Sequence, residues 1–179
     1  MNKRLKLNKL VKDNISHALL DLMQVKTFSD ITVTDIVTKA GVARASYYRN
    51  YTSKEEIIRE ALYKIMQDFE CVKHNDACKH LPHQKLTQLL EHVLSYKDVI
   101  TTTFSSGLAG VFLNALTDFL QDTSTIPQPT PSNEWVVYAF SGALFNIINK
   151  WVQDDMRASP EEISDAFYHV WKLKHNGVF

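Results

Sequence analysis

The stretch from Ile31 to Glu56, ITVTDIVTKAGVARASYYRNYTSKEE, decides how the chain reads. It holds Gly41, the only glycine before Gly107, and no proline precedes Pro82. In a segment otherwise free of breakers, one glycine acts as punctuation. Thr32 to Ala40 reads as a short helix, with Thr32 as N-cap and Asp35 three residues on to complete a capping box. Ile31 and Ile36 fall at the two positions of a hydrophobic staple. Gly41 ends that helix, because the left-handed backbone of a helix stop is cheap for glycine. Ala43 to Asn50 reads as a second short helix. Two short helices joined by a three- or four-residue turn containing glycine form a helix-turn-helix.

The side chains of the second helix suit contact with a DNA duplex. Val42 and Tyr47 are placed to face the first helix, leaving Arg44, Ala45, Ser46, Tyr48 and Asn50 outside. Arginine reads guanine, asparagine reads adenine, a serine hydroxyl suits either, and tyrosine can hydrogen-bond a phosphate. Ser53-Lys54-Glu55-Glu56 is a second capping box, opening a third helix with Lys54 in its first turn. A helix N-terminus beside a lysine suits a phosphate. With Thr32 and Thr34 at the start of the first helix, the candidate DNA-binding set is Thr32, Thr34, Arg44, Ala45, Ser46, Tyr48, Asn50 and Lys54.

Residues 41–51, GVARASYYRNY, followed by Ser53-Lys-Glu-Glu-Ile57, resemble the DNA-binding head of TetR-family transcriptional regulators. The resemblance covers about the first third of the chain. It implies that the second helix enters the major groove, and that Tyr48 and Lys54 hold the DNA backbone. Two departures stand out. Ala43 occupies the place of the family's usual Ser or Thr cap, and Asn50 and Tyr51 replace the commoner His and Phe.

Composition sets the outer bounds. A chain of 179 residues, 45% hydrophobic, can bury a sizeable core as one domain or two small ones. Residues 1–64 carry 12 Lys/Arg against 7 Asp/Glu, a net of +5, so the overall neutral charge leaves residues 65–179 at −5. A basic head on an acidic body is the footprint of a protein that sets one end on a polyanion. Two cysteines and no export signal point to a reducing compartment, and the TetR resemblance implies the bacterial cytoplasm, in association with the nucleoid. The apolar run from Trp135 to Ile148 is too short to span a membrane. No Gly-x-Ser-x-Gly elbow, HExxH helix or phosphate-binding glycine loop occurs, which argues against an enzyme and against a cofactor.

The rest of the chain reads as all-α. Leu7, Leu10, Val11, Ile15, Ala18, Leu19, Leu22 and Met23 mark a first amphipathic helix, with Phe28 and Ile31 plugging the same core. Lys3, Arg4, Lys6 and Lys9 at its start are candidates for phosphate or minor-groove contact. From Ser53 a helix continues through Ile57, Ile58, Ala61, Leu62, Ile65, Met66 and Phe69 into the acidic body. The expected layout is a three-helix DNA-binding head over 1–64 and a helical regulatory and dimerisation domain over 65–179. Cys71, His74, Cys78, His80 and His83 cluster in a polar connector but match no standard zinc spacing, so no metal site is assigned there. Helices follow around Leu86–Leu94, Val99–Phe104 and Leu108–Leu120, then a stiff linker, Ile126-Pro-Gln-Pro-Thr-Pro131.

Residues 133–152 are apolar almost all round, so this helix serves its own core and a second surface. Ser159-Pro160-Glu161-Glu162 opens the last helix. Trp151 to Met156 followed by Ser159-Pro-Glu-Glu-Ile163 is similar to a TetR subgroup ending in a WxxxGM-xx-SPEE pattern, with Asp155 in place of its glycine. Ala139, Ala143, Ile147, Trp151, Phe167, Val170 and Trp171 are the candidate dimer residues. Phe104, Phe112, Trp135, Tyr138, Phe140 and Phe145 are the candidate lining of an effector pocket.

The expected function is a homodimeric, sequence-specific DNA-binding regulator on a pseudo-palindromic operator, most simply a repressor released by an unidentified small molecule. The alternatives are an activator of the same fold and a helical adaptor that has lost DNA binding. Retention of Arg44, Tyr48 and Lys54 argues against the adaptor.

Overall fold

The computed structural model describes residues 3–69, 83–122 and 131–175, with side chains for 4–69, 83–122 and 135–169. All regular structure among these residues is helical: α1 (Lys3–Met23), a 3-10 turn (Phe28–Asp30), α2 (Val33–Ala40), α3 (Arg44–Asn50), α4 (Lys54–Gln67), α5 (His83–Ser95), α6 (Lys97–Ser105), α7 (Ala109–Asp122), α8 (Pro131–Gln153) and α9 (Pro160–His175). The all-α expectation holds. Cys71, His74, Cys78, His80 and residues 126–130 of the linker lie outside the described residues, as do the side chains of Val170 and Trp171.

The head is built by α1 packing on α2, α3 and α4. Ile15 and Leu19 of α1, Ile36 of α2, Tyr47 of α3, and Ile57, Ile58 and Leu62 of α4 are all at most 1% exposed. Each aliphatic side chain so buried contributes roughly 1.5–3 kcal/mol against conformational entropy. Phe28 and Ile31 are buried with them, as their positions in the turn suggested. One expectation fails at the N-terminal end of α1. Leu7 and Leu10 are 63% and 56% exposed and belong to no core stripe, because the first two turns of α1 run past the packed part of the head.

Salt bridges reinforce the α1–α4 seam. Lys12 Nζ reaches Glu60 Oε2 at 2.6 Å, while Lys64 joins Asp13 at 3.0 Å and Glu60 at 3.1 Å. Burial raises the pKa of Glu60, but hydrogen bonds from Lys12 and then Lys64 outweigh it, so the net shift is downward.

Helix α4 runs unbroken through residues 64 and 65 and packs along α7. Two polar pairs fasten that contact: Arg59 to Asp118 at 2.6 Å, and Tyr63 OH donating to Asp122 at 2.9 Å. A third link joins head to body where Gln24 Nε2 donates to Thr102 Oγ1 on α6 at 2.7 Å. In the body, α7 packs on α8 and α5 on α9. Thr117 Oγ1 and Ser141 Oγ lie 3.1 Å apart across the buried α7–α8 contact, and each also reaches a carbonyl of its own helix, so neither polar group is left unpaired.

The turn between α8 and α9 explains the residues around Trp151. Met156 N–H closes back on the Trp151 carbonyl at 2.8 Å, and Trp151 Nε1 donates to the Ala158 carbonyl at 2.9 Å. The reversal holds Asp155 at φ 56° and Met156 at φ 53°, a left-handed geometry glycine would adopt at lower cost. Ser159 and Glu162 then form the reciprocal capping box expected at the start of α9, at 3.2 and 2.7 Å.

Candidate DNA-binding site

Local rules shape the helix-turn-helix. Thr32 Oγ1 accepts from Asp35 N at 3.1 Å, and Asp35 Oδ2 accepts from Thr32 N at 2.9 Å. Two hydrogen bonds donated to that carboxylate by Thr32, first from its N–H and then from its hydroxyl at 2.8 Å, hold the Asp35 carboxyl down to about 2, with Lys26 adding to the effect. Gly41 sits at φ 64°, ψ 34°. Its N–H bonds to the Thr38 carbonyl at 3.3 Å and that of Val42 bonds to the Val37 carbonyl at 3.1 Å, the paired closure of a Schellman stop. A side chain at Gly41 would meet no atom, so the left-handed φ alone calls for glycine.

Helix α3 starts at Ala43 without a side-chain cap. Seven residues cannot sustain a helix alone. Tyr47, 1% exposed, fixes α3 to the head, its ring meeting Tyr48 at 5.3 Å and Tyr51 at 6.2 Å. The outer face carries Arg44, Ala45 and Tyr48, all exposed, with Ser46 half-buried. Thr34 of α2 is exposed beside them. Arg44 Nη1 donates to Thr34 Oγ1 at 3.3 Å and Nη2 to Tyr48 OH at 3.2 Å, with the guanidinium 5.6 Å from the Tyr48 ring centre. Thr34, Arg44 and Tyr48 therefore form one surface group drawn from both helices. Asn50 stands apart: it is half-buried and its Nδ2 donates to the Ser46 carbonyl at 2.8 Å.

Lys54 does not point outward as a phosphate clamp. Its Nζ donates to the Phe28 carbonyl at 2.6 Å and the Ile31 carbonyl at 2.7 Å, and lies 4.6 Å from the Phe28 ring centre. The 3-10 turn ends against the first turn of α4, and its carbonyls, short of intrahelical donors, take the ammonium. The capping box at Ser53 is also shifted. Ser53 Oγ accepts from Glu56 N at 3.2 Å, but the Glu56 carboxylate reaches Thr52 N at 2.7 Å.

Replacing Lys54 with Met keeps the stem and removes the charge. The expected loss is about 1.5–3 kcal/mol of stability, the range for hydrogen bonds to a charged group. The salt slope of DNA binding should stay within about half a unit of wild type, where one lost phosphate contact would cost about 0.9. Thermal melts and a binding series over salt measure both. A slope lowered by a full unit at unchanged stability would return Lys54 to the phosphate backbone.

The six aromatic residues expected to line a pocket divide. Phe104, Phe112 and Phe145 form a cluster with ring centres 5.2, 5.9 and 6.5 Å apart, where α6, α7 and α8 meet. Phe140 is half-buried. Trp135 and Tyr138 are 75% and 50% exposed and line no interior. The apolar residues of α8 run onto a face turned to solvent there, because the helix offers more apolar surface than the body can cover.

The candidate dimer residues divide as well. Ala139 and Ala143 are exposed and Ile147 and Phe167 half-buried, but Trp151 is 2% exposed and held by Ala158, so it is a core residue of the single chain. Trp135, Val136 and Tyr138 extend the exposed stripe of α8 and were not in the expected set. His83 belongs to the α5–α9 contact: its Nε2 lies 2.6 Å from Asp165 Oδ1 and its ring meets Tyr168 at 5.3 Å. Among the described residues no group of three His, Cys, Asp or Glu side chains is placed to hold a metal, and no helix is long and apolar enough to cross a membrane.

Residues 15–61 match the family model described as bacterial regulatory proteins, tetR family, and residues 81–172 match that of a transcriptional regulator C-terminal region of the same group. The chain belongs to the TetR family. Its matched segments are accordingly those of a DNA-binding transcriptional regulator. An uncharacterized HTH-type transcriptional regulator of Bacillus subtilis (strain 168), YxbF, is 32% identical over 171 residues, covering 89% of this chain and 43% of that protein. The chain thus spans less than half the length of the curated relative it matches.

Solved structures share the fold. A protein from Listeria innocua, Lin0861, superposes with a TM-score of 0.78 at 15% identity, over 97% of this chain and 94% of that one. The dihydroxyacetone kinase operon activator DhaS gives 0.56 at 15% identity, over 92% and 95%. NalD, the secondary repressor of the MexAB-OprM multidrug efflux pump in Pseudomonas aeruginosa, gives 0.52 at 17% identity, over 89% and 92%.

Proposed function

We propose that this TetR-family chain works in the bacterial cytoplasm as a homodimeric repressor that binds a pseudo-palindromic operator and leaves it when a small molecule enters the body. The observation that carries the reading is the outward group of Thr34, Arg44 and Tyr48, formed on the two helices of the helix-turn-helix. Ala45 and Ser46 complete the base-facing edge, while Thr32, its N–H and hydroxyl both spent on Asp35, serves as the cap of α2. Asn50, turned into its own helix, contributes least. The effector is an apolar or aromatic compound held against Phe104, Phe112 and Phe145. Displacement there moves α7, and the Arg59–Asp118 and Tyr63–Asp122 pairs pass the movement to α4 and hence to the head.

The test is selection of bound duplexes from a random pool by the full chain. The expected product is a site with dyad symmetry, its half-sites about 34 Å apart or a multiple of that. Selected sites without dyad symmetry overturn the dimeric reading. Fusing the selected site to a reporter then separates repression from activation by the sign of the change in expression.

A further inference from the structure

We infer that Thr34 and Tyr48 are positioning residues for Arg44: they hold its guanidinium in place before DNA arrives and so set the base preference of the helix-turn-helix. The inference rests on the proposed reading that the outward face of α3 meets the bases of the operator. An arginine on an exposed helix ordinarily samples many rotamers and loses that freedom on binding. Here it is restrained on two sides. Thr34 Oγ1 takes Nη1 at 3.3 Å from the neighbouring helix, and Tyr48 OH takes Nη2 at 3.2 Å from one turn along α3.

The Tyr48 ring lies 5.6 Å from the guanidinium carbon, within reach of a cation–π contact. That ring is itself steadied, because its neighbour Tyr47 meets it edge-on at 5.3 Å and is buried in the head. The restraint therefore runs from the core, through Tyr47 and Tyr48, to Arg44. Bidentate reading of guanine needs two guanidinium N–H groups presented in one plane. A fixed fork favours the base it fits and penalises the others, since a restrained side chain cannot swing to a substitute acceptor. Tyr48 thus has a role that the resemblance, which assigns it to the DNA backbone, does not give it.

The experiment uses the full chain and the duplex that the wild type selects. Affinities are measured over salt for that duplex and for its single-base-pair variants, with Arg44→Ala, Thr34→Val, Tyr48→Phe and the doubles with Arg44→Ala. Thr34 and Tyr48 are exposed, and both replacements keep the side-chain shape, so folding is spared; circular dichroism confirms it. Arg44→Ala identifies the base pair that Arg44 reads. Thr34→Val and Tyr48→Phe are each expected to lower discrimination at that same base pair by about three- to tenfold, the scale of one hydrogen bond. The salt slope should be unchanged, and neither change should add to Arg44→Ala in the doubles.

Equal weakening on every duplex with a salt slope lower by about 0.9 would make each a phosphate contact and overturn the inference. Unchanged discrimination would overturn it too. If Arg44→Ala relaxes no base pair, base reading by α3 has failed, and the inference falls with it for that separate, visible reason.

Discussion

Tyr138→Asp, or Ala143→Arg, is expected to yield a folded monomer that has lost its operator. Both positions lie on the outward stripe of α8 with Trp135, Val136 and Ala139, and Tyr138 is 50% exposed in the single chain. A charge placed there meets solvent in the monomer, so the core keeps its contacts and helicity by circular dichroism should not change. In a two-fold dimer the same charge faces its own copy across an apolar patch. An unpaired charge buried in an interface costs several kcal/mol. A monomer offers one recognition helix where the operator offers two half-sites. Specific binding typically exceeds non-specific binding by about 10³–10⁷, so loss of the second half-site should weaken operator affinity by at least about 10²-fold. Sedimentation at micromolar concentration and binding to the selected duplex are the measurements. A Tyr138→Asp protein that remained dimeric would show that α8 does not form the interface through this stripe.

The head was legible in the sequence because its signals are local. Thr32 with Asp35 and Gly41 at φ 64° each depend on residues within five positions, and these rules need no tertiary context. Lys54 is the opposite case. A long flexible side chain in a first helical turn has several acceptors within reach, and the sequence does not show that the carbonyls of Phe28 and Ile31 come within 2.6 and 2.7 Å of its Nζ. Helix α8 was misread through a loss of contrast. When apolar residues surround a helix, periodicity no longer tells the inner face from the outer, so the sequence alone sets Trp151 outward and Trp135 inward, the reverse of where they stand. The links between head and body, Gln24 to Thr102 and Arg59 to Asp118, join residues 78 and 59 positions apart, and no periodic pattern marks such pairs. Three of the six pocket aromatics came together because Phe104, Phe112 and Phe145 lie on the inward faces of three helices that meet.

Tyr47→Ala is expected to be the most damaging single change in the head. Helix α3 has seven residues and no side-chain cap at Ala43, so its own hydrogen bonds do not keep it helical. Its attachment rests on Tyr47, which is 1% exposed and touches the rings of both Tyr48 and Tyr51. Truncating a buried ring to a methyl group costs about 3–5 kcal/mol, a large share of the 5–15 kcal/mol that holds a typical domain folded. Tyr47→Phe keeps the ring and should cost about 1 kcal/mol or less. The measurement is urea unfolding of the three proteins at one fixed concentration, because a dimer's stability depends on it. Operator binding should follow the same order: near wild type for Tyr47→Phe, and lost for Tyr47→Ala at temperatures where the protein remains helical, since α3 would no longer hold Arg44 and Tyr48 against Thr34. A Tyr47→Ala protein destabilised by less than about 1 kcal/mol and still selecting its duplex would show that α3 is anchored from elsewhere, with Tyr51, 2% exposed at its C-terminal end, as the residue to test next.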